Sequence, residues 1–155
     1  MAKIVAVLRI RGCMETRTNT ESALRQNHLT RKNHLILMPE DRSTRGFIIL
    51  VKDYVTWGGI DLPTVELLLK NRAYLEGGEK LTDAYLSKNS KFKSIPEFAK
   101  ALFEGTAKLS DVKLLKPLFR LSPARGGFEG IKLQYPKGSL GDRKEKINEL
   151  ILKMI

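Results

Sequence analysis

The sequence predicts an α+β protein, in which a β-α-β-α-β sheet unit over residues 1–60 carries a mostly helical carboxy-terminal extension over 61–155. Three observations lead there. Residues 3–10, "KIVAVLRI", and 33–40, "NHLILMPE", are short apolar runs of strand composition. Each is followed by a segment with helical spacing and start signals. Beyond residue 60 the chain becomes a succession of amphipathic segments separated by glycine and proline. At 155 residues, 42% of them apolar, the chain can bury one sizeable core or two small ones, and disorder is not expected.

In the first strand, Ile4, Ala6, Leu8 and Ile10 face one way, while Lys3, Val5, Val7, Arg9 and Arg11 face the other. Both faces are apolar up to residue 8, the pattern of a central strand covered on both sides. Thr18 and Glu21 then stand at capping-box spacing, opening a helix expected to run to about His28. The second strand stops at Pro39. "RGFIILVKDYV" has strand-like composition, yet Phe47, Leu50, Val51 and Tyr54 follow the i, i+3, i+4, i+7 stripe of a helix. It is read as a helix over 45–55 that Asp41 or Ser43 could cap. "TWGG" then gives a short third strand or turn, completing a ferredoxin-like unit.

In the extension, "DLPTVELLLKNRAYL" is expected to be a helix capped by Asp61 and ended by the glycines at 77–78. "LTDAYLSKN", "SIPEFAKALF" with Ser94 and Glu97 as a capping box, and "LSDVKLLK" up to Pro117 read as further helices. "GDRKEKINELILKMI" shows the clearest helical pattern, with Asp142 and Glu145 as a capping box. Its stripe of Ile147, Leu150, Ile151, Met154 and Ile155 must dock on something, most simply the open face of the sheet.

Charge narrows the function. The chain has 28 Lys+Arg against 17 Asp+Glu, a formal +11, and a pI near 9.9. This excess suits a polyanion, nucleic acid ahead of a membrane surface. No apolar run approaches the ~18–20 residues of a membrane-spanning helix, and the amino terminus reads as a strand rather than a signal peptide. The single cysteine, Cys13, excludes an internal disulfide, fits a reducing cytoplasm and reads as an incidental thiol. His28 and His34 read as turn residues without the companions of a metal shell, and no cofactor motif is present. The carboxylate pairs Glu40–Asp41 and Glu76/Glu79 sit near helix ends, where capping accounts for them.

The basic residues are better organised, at loops and element ends, where long side chains reach phosphates. Arg9, Arg11 and Arg17 surround the first strand-to-helix loop, and Arg25, Arg31 and Lys32 the first helix and its exit. Arg42 and Arg45 open the second helix. Arg120 and Arg125 lie in the glycine-rich stretch "FRLSPARGGFEG" (119–130), Lys132 and Lys137 lie just beyond it, and Arg143 begins the last helix. In that stretch Gly126, Gly127 and Gly130 permit close backbone approach, and the arginines offer planar forks for phosphate. Phe128 either stacks on an unpaired base or pins the loop to its own domain, the second being favoured. A rival reading is a small α/β enzyme handling phosphate esters, with Arg11–Gly12 in its phosphate loop. The sequence offers no convincing nucleophile or base for it.

Taken together, the chain resembles large-subunit ribosomal protein L-thirty, in its longer archaeal and eukaryotic form (numbered seven in eukaryotes). The resemblance rests on "VLRIRG" and "NHLILM", on "YVTWGGIDLPTVELLLKNRAY", on "FRLSPARGGFEG" and on "GSLGDRKEKINELILKMI", in that order. Ala124, between Pro123 and Arg125, departs from the family's pattern. Shorter bacterial relatives resemble only the first sixty residues. The resemblance implies a non-catalytic structural constituent of the large subunit, one copy in each cytoplasmic ribosome. It would bind large-subunit rRNA near 5S rRNA and beside other ribosomal proteins. The family-matching positions are Arg11, Gly12, Trp57, Gly58, Pro123, Arg125, Gly126, Gly127 and Arg143. The arginines among them are the implied RNA contacts, and Trp57, Pro123 and the glycines are implied to shape the fold.

Overall fold

A computed structural model describes residues 4–12, 14 and 16–155; Lys3 and Cys13 lie outside the described residues. Its centre is strand β1 (Ile4–Arg9), buried along its whole length. β2 (His34–Pro39) and β3 (Val55–Gly59) flank it, both antiparallel, with Leu8 opposite Leu35 and Val7 opposite Trp57. Two short edge strands come from the extension: β4 (Phe119–Arg120) lies antiparallel to β2, and β5 (Gly141–Asp142) parallel to β3. The order is β4-β2-β1-β3-β5.

The alternation read in β1 separates two cores. Val5 and Val7 pack with Leu24, Ile36, Ile48 and Val51 beneath helices α1 (Thr18–Gln26) and α2 (Arg42–Val51). Ile4, Ala6 and Leu8 pack on the opposite face with Leu68, Phe98, Phe119, Ile147 and Ile151. That second core is supplied by α3 (Leu62–Arg72), α4 (Asp83–Asn89), α5 (Ile95–Phe103) and α6 (Ile147–Leu152). The segment expected to be helical over 45–55 is α2, but it spans Arg42–Val51: Tyr54 lies in the turn beyond it and Val55 already belongs to β3. Its buried residues are Thr44, Ile48 and Val51, and Leu50, expected among them, is exposed. The closing apolar stripe does dock on the sheet, with Met154 also fully buried.

Several local expectations are corrected. At α1 the N-cap position belongs to Arg17, not Thr18, and Glu21 pairs with Arg25 at 2.7 Å, one turn on, instead of closing a capping box. Helix α3 stops at Arg72, before the glycines at 77–78. Those glycines, with φ of 109° and 93°, turn a small hairpin in which Tyr74 pairs with Lys80. "LSDVKLLK" yields only a 3₁₀ turn at Leu109–Asp111. The last helix is shorter than its sequence pattern. Gly141 is left-handed at φ 87°, Asp142 pairs with Trp57, and the Arg143 N–H donates to the Trp57 carbonyl at 2.9 Å. The sheet edge thus satisfies backbone groups that a helix would have used, and α6 begins only after a 3₁₀ turn at Lys144–Lys146.

Candidate nucleic-acid interface

β1 ends where β2 and β3 begin, so this end of the sheet collects Arg11, Arg31, Lys32 and, through the His34–Arg120 pair, Arg120. The clustering is felt at His34. Burial is the main cause of its lowered pKa, and the charges of Arg120, Arg31 and Arg9 add to it, against the opposing effect of a hydrogen bond that the imidazole donates to the His28 backbone carbonyl. Arg11 is held in place, its Nη1 donating to the Asp53 carbonyl at 3.2 Å and its guanidinium standing 5.2 Å from the centroid of the Tyr54 ring. Arg31, Lys32 and Arg120 are exposed.

Arg9 is a correction. It is 1% exposed, and its guanidinium donates to the backbone carbonyls of Leu29, Thr30 and Arg11. This arginine stitches the end of β1 to the turn after α1 and cannot reach a phosphate. The alternation that placed it beside Arg11 was right, but its end of the strand is roofed by residues 29–30.

The glycine-rich stretch builds a second basic group. Its backbone returns to the closing helix, with the Ser122 N–H donating to the Met154 carbonyl and the Arg125 N–H to the Lys153 carbonyl. Gly126 and Gly127 are left-handed, at φ 87° and 76°. Phe128 is half-buried against the extension's core, so it pins the loop. The loop and the 135–143 segment enclose a cleft of about 260 Å³ that Arg125 and Arg143 share. Arg143 is half-buried, stacked 5.0 Å from the Tyr135 ring centroid, with Nη2 donating to the Ser139 carbonyl at 3.3 Å. Burial lowers its pKa, against the opposing charges of Tyr135 and Glu129. Lys146 approaches the same ring, and its hydrogen bond to Tyr135 raises its pKa. Sequence reading missed Tyr135 as the organiser of this group; nothing in its spacing marks it.

The other positions are dispersed. Arg17 is exposed at the start of α1, and Lys132 and Lys137 are exposed on the excursion between Gly130 and Leu140. Arg25 pairs with Glu21, and Arg45 with Glu40 at 2.9 Å. Arg42 and Arg45 open α2 at the opposite end of the sheet, the length of β1 away, about 20 Å. Gly58 is sterically required, because a Cβ there would lie 2.1 Å from the Lys144 carbonyl oxygen. Gly12 is different: a Cβ would meet nothing within 4 Å. Trp57 is half-buried on the α1–α2 side, and Pro123 is exposed before the buried Ala124. Among the described residues no group of three His, Cys, Asp or Glu could hold a metal, and no helix is long and apolar enough to cross a membrane.

Fold and surface together define a small basic α+β protein whose cations stand at strand ends and on a glycine-rich loop, the class to which RNA-associated structural proteins belong. The chain belongs to the large ribosomal subunit protein uL30 family. It is 43% identical over 149 residues to large ribosomal subunit protein uL30 of Archaeoglobus fulgidus, covering 96% of this chain and 98% of that protein. To its counterpart in Methanopyrus kandleri it is 44% identical over 149 residues, covering 94% and 100% respectively. To that of Desulfurococcus amylolyticus it is 43% identical over 162 residues, with both chains fully covered. No protein-family model matches the chain. The relatives are ribosomal structural proteins, and the phosphate-ester enzyme falls away with that membership.

Proposed function

We propose that this chain binds and stabilises folded rRNA through its basic loops and element ends, reading backbone shape more than base sequence. The coarser role comes with the family: it is a non-catalytic structural constituent of the large subunit of the cytoplasmic ribosome. One observation carries the finer reading. Arg11, Arg31, Lys32 and Arg120 at the sheet end, and Arg125 and Arg143 in the glycine-loop cleft, form no ion pair with a described residue. Cations spent on neither carboxylates nor the core are available for phosphates, and Arg143 has already given up part of its hydration. A position near 5S rRNA, beside neighbouring ribosomal proteins and in one copy per subunit, is part of the same proposal and rests on the resemblance.

The test is binding of the purified chain to large-subunit rRNA over a salt series. With ~8–12 phosphates neutralised, log K falls against log salt with a slope of about −6 to −11. Changing both Arg31 and Arg120 to alanine flattens that slope by about 2. A slope near zero, or one indifferent to these arginines, contradicts the proposal.

A further inference from the structure

Away from both basic groups, the turn after α4 and the segment 106–113 border a cleft of about 560 Å³. Lys88, Lys91 and Lys113 line it, all exposed and none in an ion pair with a described residue. Lys88 also lies in the last turn of α4, where the helix carbonyls favour a cation; Lys91 and Lys113 have no such reason to be there. Phe92 lines the same cleft, half-buried, its ring centroid 5.1 Å from that of the buried Phe98 at an interplanar angle of 43°.

The frame is held by hydrogen bonds. The Ser90 hydroxyl donates to the Leu86 carbonyl at 2.7 Å and accepts from the Phe92 N–H at 3.2 Å, fixing the turn on the end of α4. The Tyr85 hydroxyl donates to the Lys113 carbonyl at 3.0 Å, tying the far wall to the same helix. Thr106 spends its proton on the Ala101 carbonyl, which leaves its oxygen as an acceptor. One oxygen of Asp111 accepts the Lys108 N–H, and Asp111 is exposed and lines the cleft.

We propose that this cleft is a further RNA site that takes an unpaired nucleotide: phosphate against the lysines, base against Phe92, and ribose hydroxyl or base amino group on Thr106 and Asp111. The inference rests on the rRNA-binding reading above and extends it to a surface that reading does not use. Flexible lysines suit a phosphate chain, and an anchored aromatic ring suits an unstacked base. Asp111 decides against the other polyanion, an acidic protein segment. Beside its carboxylates, which Asp111 repels, such a segment has donors only on its backbone, whereas a nucleotide carries hydroxyl and amino donors next to its phosphate.

The test is ultraviolet cross-linking of native large subunits, with mass spectrometry of this chain's peptides. The proposal expects a nucleotide adduct on the peptide that holds Phe92. Adducts confined to the 120–143 region would overturn the cleft and leave the rRNA-binding reading standing; no adduct on any peptide would sink both. In solution, K88Q/K91Q/K113Q is expected to weaken rRNA binding by about 100-fold at 0.1 M salt and flatten the log–log slope by about 2 to 3. These side chains are exposed, so the melting transition should move little, by no more than the loss of the Lys88 charge at the end of α4. Unchanged affinity, or cross-links from this cleft to an acidic protein neighbour, would overturn the proposal.

Discussion

Arg9 and Arg31 lie at the same end of the sheet and differ in what surrounds them. Replacing Arg9 with leucine strips the Leu29, Thr30 and Arg11 carbonyls of a donor at a buried site, so stability should fall by about 2–4 kcal/mol in denaturant titration. Arg31→Ala should leave stability within about 0.5 kcal/mol and act only on RNA affinity. Gly58→Ala drives a methyl into the Lys144 carbonyl and should cost about 3 kcal/mol or more, while Gly12→Ala should be nearly neutral in the same assay. His34 gives a pH signature. Its folded-state pKa lies below the ordinary ~6.5, so the unfolded chain binds the extra proton more readily. The stabilisation is complete above about pH 6.5 and is lost as pH falls toward the depressed folded-state value. Thermal melts from pH 7.5 to 5 should decline over that window, and His34→Gln should flatten part of the decline.

At the scale of elements, Asn148 joins three parts of the chain. From α6 its side chain accepts the Asp61 N–H at 3.0 Å and donates to the Gly59 carbonyl at 3.2 Å, clasping the end of β3 and the start of α3. Asn148→Ala should cost about 2–3 kcal/mol in a denaturant melt, since it orphans partly buried backbone groups. Which elements exist was legible in the sequence wherever periodicity set the fold. The two faces of β1 and the apolar face of α6 are where alternation or the 3.6-residue repeat puts them, and α2 is a helix as its spacing implied, although Ile48 rather than Leu50 faces the core. Capping and element ends were not legible. The apparent boxes at Thr18 and Asp142 lost to other partners, the Glu21–Arg25 pair in one case and the β3 edge in the other. The basic sites divide the same way. Residue type marked Arg31 and Arg125 as surface cations, but only tertiary structure shows Arg9 roofed over, Tyr135 beneath Arg143, and Lys113 brought to the lysines of "SKNSKFK". That lysine run around Phe92 was the one signal that could have disclosed the cleft.

Across the whole molecule, residues on both sides of position 60 share a core. Ile4, Ala6, Leu8 and Leu35 are covered by side chains of the extension, and Phe119 and Gly141 lie in strands that complete the sheet. Residues 1–60 alone should therefore expose an apolar sheet face and show no cooperative melt. Calorimetry on the truncated chain checks this expectation. The intact chain's charge of +11 acts in the other direction, repelling itself when free and being neutralised when bound to polyanion. The measurement that bears most directly on the account is sedimentation of a cell lysate through sucrose gradients, with this chain traced before and after washes of rising salt. The account predicts that it co-migrates with the large subunit in a one-to-one ratio, remains there through moderate salt and is released only at high salt. A chain that stays at the top of the gradient even at low salt would contradict it.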